Sequence, residues 1–257
     1  MVFRKIVIWV SVLALLAGMS LAVAQDTVKN DGIAHVVLIT AKDGQSKALE
    51  KAIIEYHKYM GTKEGAMRYQ WYSMETGKNA GKYLARSGDH NWADFDAKHD
   101  WDEEAGAKFD SLVQPHIANM VVTLTRTDDE LGNWPENMEG YEYVSVTRWY
   151  VMPGQNGAFN EGLKKIDATL KANNFAGHYG FINIVSGGEG NAVSLVLPYK
   201  SYADMAPKKP SVMEVLGKAM GEDEAKVFLA DWGSTYKSGD NYLLHYMAEQ
   251  SDYGDGK

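Results

Sequence analysis

His99 is the side chain whose type and surroundings best suit chemistry. It lies in Asp94-Phe-Asp96-Ala-Lys-His99-Asp100, where neighbouring carboxylates would hold an imidazole in its charged form. On a solvated helix face such a His does nothing further. Facing a cavity between helices and sheet, it would serve as a general base or as an axial ligand to haem iron. The other histidines are His35, His57, His90, His116, His178 and His245, and no two stand at His-x-x-x-His spacing. There is no Cys either, so thiolate chemistry and disulfides are excluded and no metal-ligating set is assigned.

A second signal is aromatic. Tyr69, Trp71 and Tyr72 fall in one apolar run, Trp149 and Tyr150 end another, and Tyr179 and Phe181 occupy a third. Alternation along a strand puts such rings on both faces of a sheet. Most fill a core, yet Tyr and Trp carry polar atoms that need partners, and a barrel lined by them suits a flat, mostly apolar ligand. Arg148, beside Trp149, has the fork geometry to pair with a ligand carboxylate or with a nearby Asp or Glu. Other motifs fail on context. Gly187-Gly-Glu-Gly190 separates two strand patterns, so it is a hairpin turn rather than a dinucleotide loop. Asp100-Trp-Asp-Glu-Glu104 lacks the ligand pattern of a calcium loop and reads as the acidic start of a helix.

The elements that must position these residues come in two sets. Asp43-Gly44-Gln45 returns as Pro153-Gly154-Gln155, and Trp92-Ala-Asp-Phe95 as Tyr202-Ala-Asp-Met205, both 110 positions later. At the same offset Tyr69 meets Tyr179 and Trp71 meets Phe181. Leu49, Ile53, Tyr56 and Met60 form one apolar stripe at helical spacing, and Phe159, Leu163, Ile166 and Leu170 repeat it. Around each helix lie a leading β-branched strand, a Gly-rich hairpin, a second helical region (92–118 in the first copy) and a closing strand. In the second copy, Ser211-Val-Met-Glu214 is a capping box that starts an extra helix. The order is βαββαβ twice, the ferredoxin-like unit.

Two such units, each with strand, Gly-Gln and helix, resemble the dimeric α/β-barrel superfamily in a fused, tandem form, with antibiotic-biosynthesis-monooxygenase-like and haem-degrading members. The resemblance implies an α+β fold of two tandem ferredoxin-like βαββαβ repeats, pairing into an intramolecular dimeric α/β-barrel. Repeats are expected over 33–126 and 143–248, with a solvated acidic linker over 127–142 and a flexible tail over 249–257. Trp92-Ala-Asp-Phe-Asp-Ala97-Lys-His99 is similar to the monooxygenase-like segment in which Trp, Ala and His stand on the second helix. The second copy has Tyr202 and Lys209 at those positions, so a site of this type belongs to the first repeat. The resemblance makes His99 the catalytic candidate with Trp92 beside it, and the aromatic strands add Tyr69, Trp71, Arg148 and Trp149 around a small hydrophobic or aromatic molecule. The resemblance also admits haem as a cofactor. A monooxygenase-like or haem-handling protein and a non-catalytic binding or interaction protein both fit the sequence, so whether the chain is an enzyme stays open.

Charge and targeting narrow the partners. Residues 1–24 have the layout of a signal peptide: Arg4 and Lys5, an apolar run from Ile6 to Leu21, then Ala22-Val-Ala24. That segment carries two basic and no acidic residues, so its removal takes the formal charge from -8 to -10. An acidic, periplasmic or secreted chain suits neither nucleic acid nor an anionic membrane surface, because both need clustered Lys and Arg. The mature protein is expected as a monomer with paired repeats or as a homo-oligomer.

Overall fold

A computed structural model describes residues 30–251. The signal-peptide segment and the last six residues lie outside the described residues. The first half contains β1 (Ile33–Ala41), α1 (Ser46–Met60), β2 (Gln70–Met74), β3 (Tyr83–His90), α2 (Asp102–Leu112) and β4 (Ile117–Asn133). The second contains β5 (Tyr143–Val151), α3 (Asn156–Ala172), β6 (Tyr179–Ser186), β7 (Ala192–Tyr199), α4 (Val212–Met220), α5 (Glu222–Gly233) and β8 (Tyr236–Tyr246). Among the described residues no helix is long and apolar enough to cross a membrane.

The strands close into one antiparallel barrel in the order β1-β3-β2-β8-β5-β7-β6-β4. Two seams join the halves: β2 pairs with β8 (Tyr72 opposite Tyr246), and β4 pairs with β6 (Thr127 opposite Ile182). Both helix-opening turns carry a left-handed glycine, Gly44 at φ 73° and Gly154 at φ 78°, which any other residue would adopt only under strain. The helix stripes face the barrel as expected. Leu49 and Ile53 are buried from α1, and Phe159, Leu163, Ile166 and Leu170 from α3. Three apolar clusters result. One lies under α1 and α2, one under α3, α4 and α5, and one, around Met74, Val146 and Leu244, faces inward from the strands. The capping box of α4 forms: Ser211 N–H donates to Glu214 Oε2 at 2.6 Å, and Glu214 N–H to Ser211 Oγ at 3.3 Å.

Three stretches differ from expectation, each because short polar side chains capture backbone groups. The helix expected over 92–118 is a 3-10 turn at Trp92–Phe95, an irregular stretch, and then α2. Asp94 accepts the Asn91 N–H at 2.8 Å and Asp102 the His99 N–H at 2.9 Å, offering the chain an alternative to helix. The expected acidic linker is half strand. Asp128 accepts the Glu130 and Leu131 N–H groups, the polar residues bulge away, and β4 resumes so that Gly132 pairs with Gly180 and Asn133 with Tyr179. The expected tail begins docked rather than flexible: Gln250 is buried, and Ser251 Oγ accepts the Trp71 N–H at 2.8 Å.

Candidate functional site

Successive residues on a strand face opposite sides, so each barrel strand contributes to two environments. From β1, Val37 and Ile39 enter the helix-covered core while Val36 and Leu38 line the lumen. From β5, Val151 and Trp149 pack beneath α3 and α5 while Val144, Val146, Arg148 and Tyr150 face inward. The lumen is a cavity of about 1120 Å³ lined by all eight strands. It is therefore not the property of the first half, where the sequence placed it.

This alternation sorts the predicted residues. Arg148 lines the lumen. Trp71 and Trp149 do not: each belongs to a helix-covered core, and the inward positions are their neighbours Tyr72 and Tyr150. Trp71 is only 4% exposed, with its Nε1 unpartnered. Tyr69 also sits on the helix side, where its hydroxyl shares a 2.8 Å hydrogen bond with His35 Nδ1. Trp92 is 41% exposed, its ring 6.2 Å from that of Phe95.

Around Tyr69 the structure assembles a cluster that sequence spacing does not reveal. The His35 ring lies 5.9 Å from that of Tyr69, and both His35 and His90 lie against Phe95. Burial lowers the pKa of His35, and the nearby His90 lowers it further. Burial also lowers His90, against the opposing pull of Asp94 and Asp89. Ser87 Oγ lies 2.8 Å from His90 Nε2, and His90 Nδ1 lies 3.7 Å from Asp94. Those are the residue types of a hydrolytic triad, arranged the wrong way round. The Ser87 hydroxyl is buried at 2% exposure while the carboxylate is at the surface, so a substrate carbonyl cannot reach the nucleophile. His90 satisfies a buried hydroxyl here.

His99 does not reach the lumen either. Its ring stacks on Trp101 at 4.4 Å, Nδ1 faces Asp102 at 3.5 Å, and Nε2 faces the backbone of Gly65. A Cβ built on Gly65 would lie 2.6 Å from that Nε2, so no iron fits beside it. Among the described residues the lumen walls carry no His or Cys. Tyr72, the inward phenol nearest the first-half seam, has its pKa pushed up to about 12 by burial, which opposes the phenolate an iron would need. The residues present do not fit haem through an axial ligand. Among the described residues no group of three or more His, Asp or Glu converges on one point.

The lumen is apolar with a few convergent polar groups, the usual composition of a small-molecule site. Leu38, Met74, Leu84, Val146, Ile182 and Leu244 form its walls, and Tyr72, Tyr150, Tyr242 and Tyr246 bring hydroxyls. Two arginines line it, Arg86 from β3 and Arg148 from β5, and Lys78 joins them from the β2–β3 turn, paired with Asp240. Arg86 donates to Thr127 Oγ1 at 3.3 Å and lies over Gly88. One mouth is crossed by the connection between the halves, with Trp134, Asn137, Glu139 and Tyr141 at its rim. Arg86, Tyr242 and Tyr246 were missed, and Tyr72 and Tyr150 were not told apart from their outward neighbours, because inward facing depends on strand phase, which composition does not encode.

No family model and no curated protein matches the chain. Solved structures share its architecture. A provisionally assigned monooxygenase from Fusobacterium nucleatum superposes with a TM-score of 0.54 at 13% identity, covering 88% of this chain and 96% of that one. Another from Lactobacillus acidophilus gives 0.52 at 11%, covering 84% and 94%. A mutant chlorite dismutase from Candidatus Nitrospira defluvii, in complex with cyanide, gives 0.51 at 6%, covering 86% and 92%. At these identities the likeness concerns the fold alone: the same closed antiparallel barrel covered by helices.

Proposed function

We propose that the chain is an exported small-molecule-binding protein whose barrel lumen takes a hydrophobic or aromatic ligand. The observation that carries this reading is the 1120 Å³ lumen, with apolar walls and hydroxyls on several strands. Export rests on the basic, apolar and small-residue pattern of residues 1–24. The two halves are read as tandem ferredoxin-like repeats paired within one chain. The strand orders β4-β1-β3-β2 and β8-β5-β7-β6, joined at equivalent seams, support that reading.

The neutral fluorophore 1-aminoanthracene tests it. The wild-type chain should bind saturably with enhanced emission. Val146→Trp, which fills the lumen from a wall position, should abolish the signal, while Val227→Trp, at a surface position 61% exposed, should leave it intact. An unchanged signal in Val146→Trp would place the probe elsewhere. No binding by the wild type would favour the alternative reading, a non-catalytic interaction protein.

A further inference from the structure

The two lumen arginines differ in one respect that points to a ligand. Arg86 is engaged by Thr127 and stands towards the mouth that also carries Asp89, Asp128, Glu139 and Glu142. Arg148 stands towards the opposite mouth, in register with Ser194 on β7. Its Nε is buried without a hydrogen-bond partner. No carboxylate among the described residues forms an ion pair with it: nearby Asp240 is held by Lys78 at 2.8 Å, and Glu189 lies out on the exposed β6–β7 turn. The phenols of Tyr150 and Tyr242 line the same end, and Arg148 acts on the Tyr242 hydroxyl through charge and hydrogen bonding, so Nε–H is the donor left over. Arg148 is part-buried, and its buried, unused Nε–H carries an unmet desolvation cost, which a carboxylate meets best because it accepts two parallel N–H bonds.

We propose that the lumen takes an amphipathic carboxylate, its head received by Arg148 and its apolar body lying along the barrel towards Val144. This rests on the lumen-binding reading and deepens it by naming the ligand class. Polarity sets the orientation. The far mouth gathers four carboxylates and repels an anionic head, whereas the Arg148 end pairs its Asp240 internally. Length sets the size: strand rise makes the wall from Val144 to Arg148 roughly 13 Å, about the reach of a ten-carbon chain.

The test is displacement of 1-aminoanthracene by decanoate and by 1-decanol at pH 7.5. These share an apolar chain and differ in the charged head. Decanoate should compete about tenfold better than decanol, the worth of one charge-assisted hydrogen bond. Arg148→Met should bring decanoate down to the level of decanol and leave decanol unchanged, while Arg148→Lys should keep part of the preference. Equal affinities on the wild-type chain would overturn the proposal without recourse to any variant, as would a decanoate preference that survives in Arg148→Met. Probe binding with no displacement by decanoate would overturn it too and leave the lumen reading standing. Failure of the probe itself to bind would remove both.

Discussion

The two helix-covered faces of the barrel have the same topology and opposite contents. Under α3 and α5 the second half is an aromatic block. Trp232 packs against Trp149 at 5.4 Å, Phe159 at 5.5 Å and Tyr236 at 5.0 Å, and its Nε1–H donates to the Phe159 carbonyl. Gly162 is needed to admit that ring, since a Cβ there would lie 2.2 Å from it. The buried charge of this half, Asp167, is fully occupied: it accepts the Tyr179 hydroxyl and the Gly132 N–H and pairs with Lys171. In the first half, Tyr69, 110 positions before Tyr179, meets a neutral histidine, and a second histidine holds Ser87. The lesson is a division of labour. One face gains its stability from saturated packing, and the other keeps two histidines that burial holds uncharged until the pH falls below their ordinary value of 6.5.

That contrast can be broken most severely at Phe159, which has no exposed surface. Phe159→Ala should cost about 3–5 kcal/mol through the cavity it leaves, read as a lowered denaturant midpoint. A loss under 1 kcal/mol would mean that the aromatic block collapses around the gap and is not the anchor described here. Next comes Asp167→Ala, expected to cost about 3 kcal/mol because it strands the Tyr179 hydroxyl and the Gly132 N–H in a buried place.

The smallest effect belongs to the first half and depends on pH. His35 and His90 have folded pKa values below the ordinary 6.5, so on acidification the unfolded chain takes up protons before the folded one does. Their contribution is complete above pH 6.5 and drains as pH falls below it towards the folded values. His35→Asn keeps a polar group beside Tyr69 but cannot titrate. Its unfolding midpoint should fall less than that of the wild type between pH 7 and pH 5. Identical pH slopes would show that His35 does not titrate with folding.

Much of the architecture was readable from the chain. Glycine turns, the two helix stripes and the Ser211 capping box all appear where spacing put them, because each is encoded within a few neighbouring residues. Strand phase was not readable. A barrel with an apolar lumen and helix-covered outer faces buries both sides of its strands, so the polar alternation that marks a half-exposed strand is lost. Hence Trp71 and Trp149 looked like ligand contacts while Tyr72 and Tyr150 hold the inward positions. A shift of one residue exchanges the two faces. The His35–Tyr69 pair was hidden for another reason: its members come from separate elements, and only the fold brings them together.

The seam between β2 and β8 has a consequence in time. Synthesis completes the first half while Tyr246, the partner of Tyr72, is still far from being made. Until β8 and β6 arrive, β2 and β4 are open edges able to recruit strands from other molecules. Closing the ring needs contacts between opposite ends of the chain, a slow step by loop-closure entropy. The finished barrel has no free edge, so its exposure to aggregation is confined to the interval before its last strand docks.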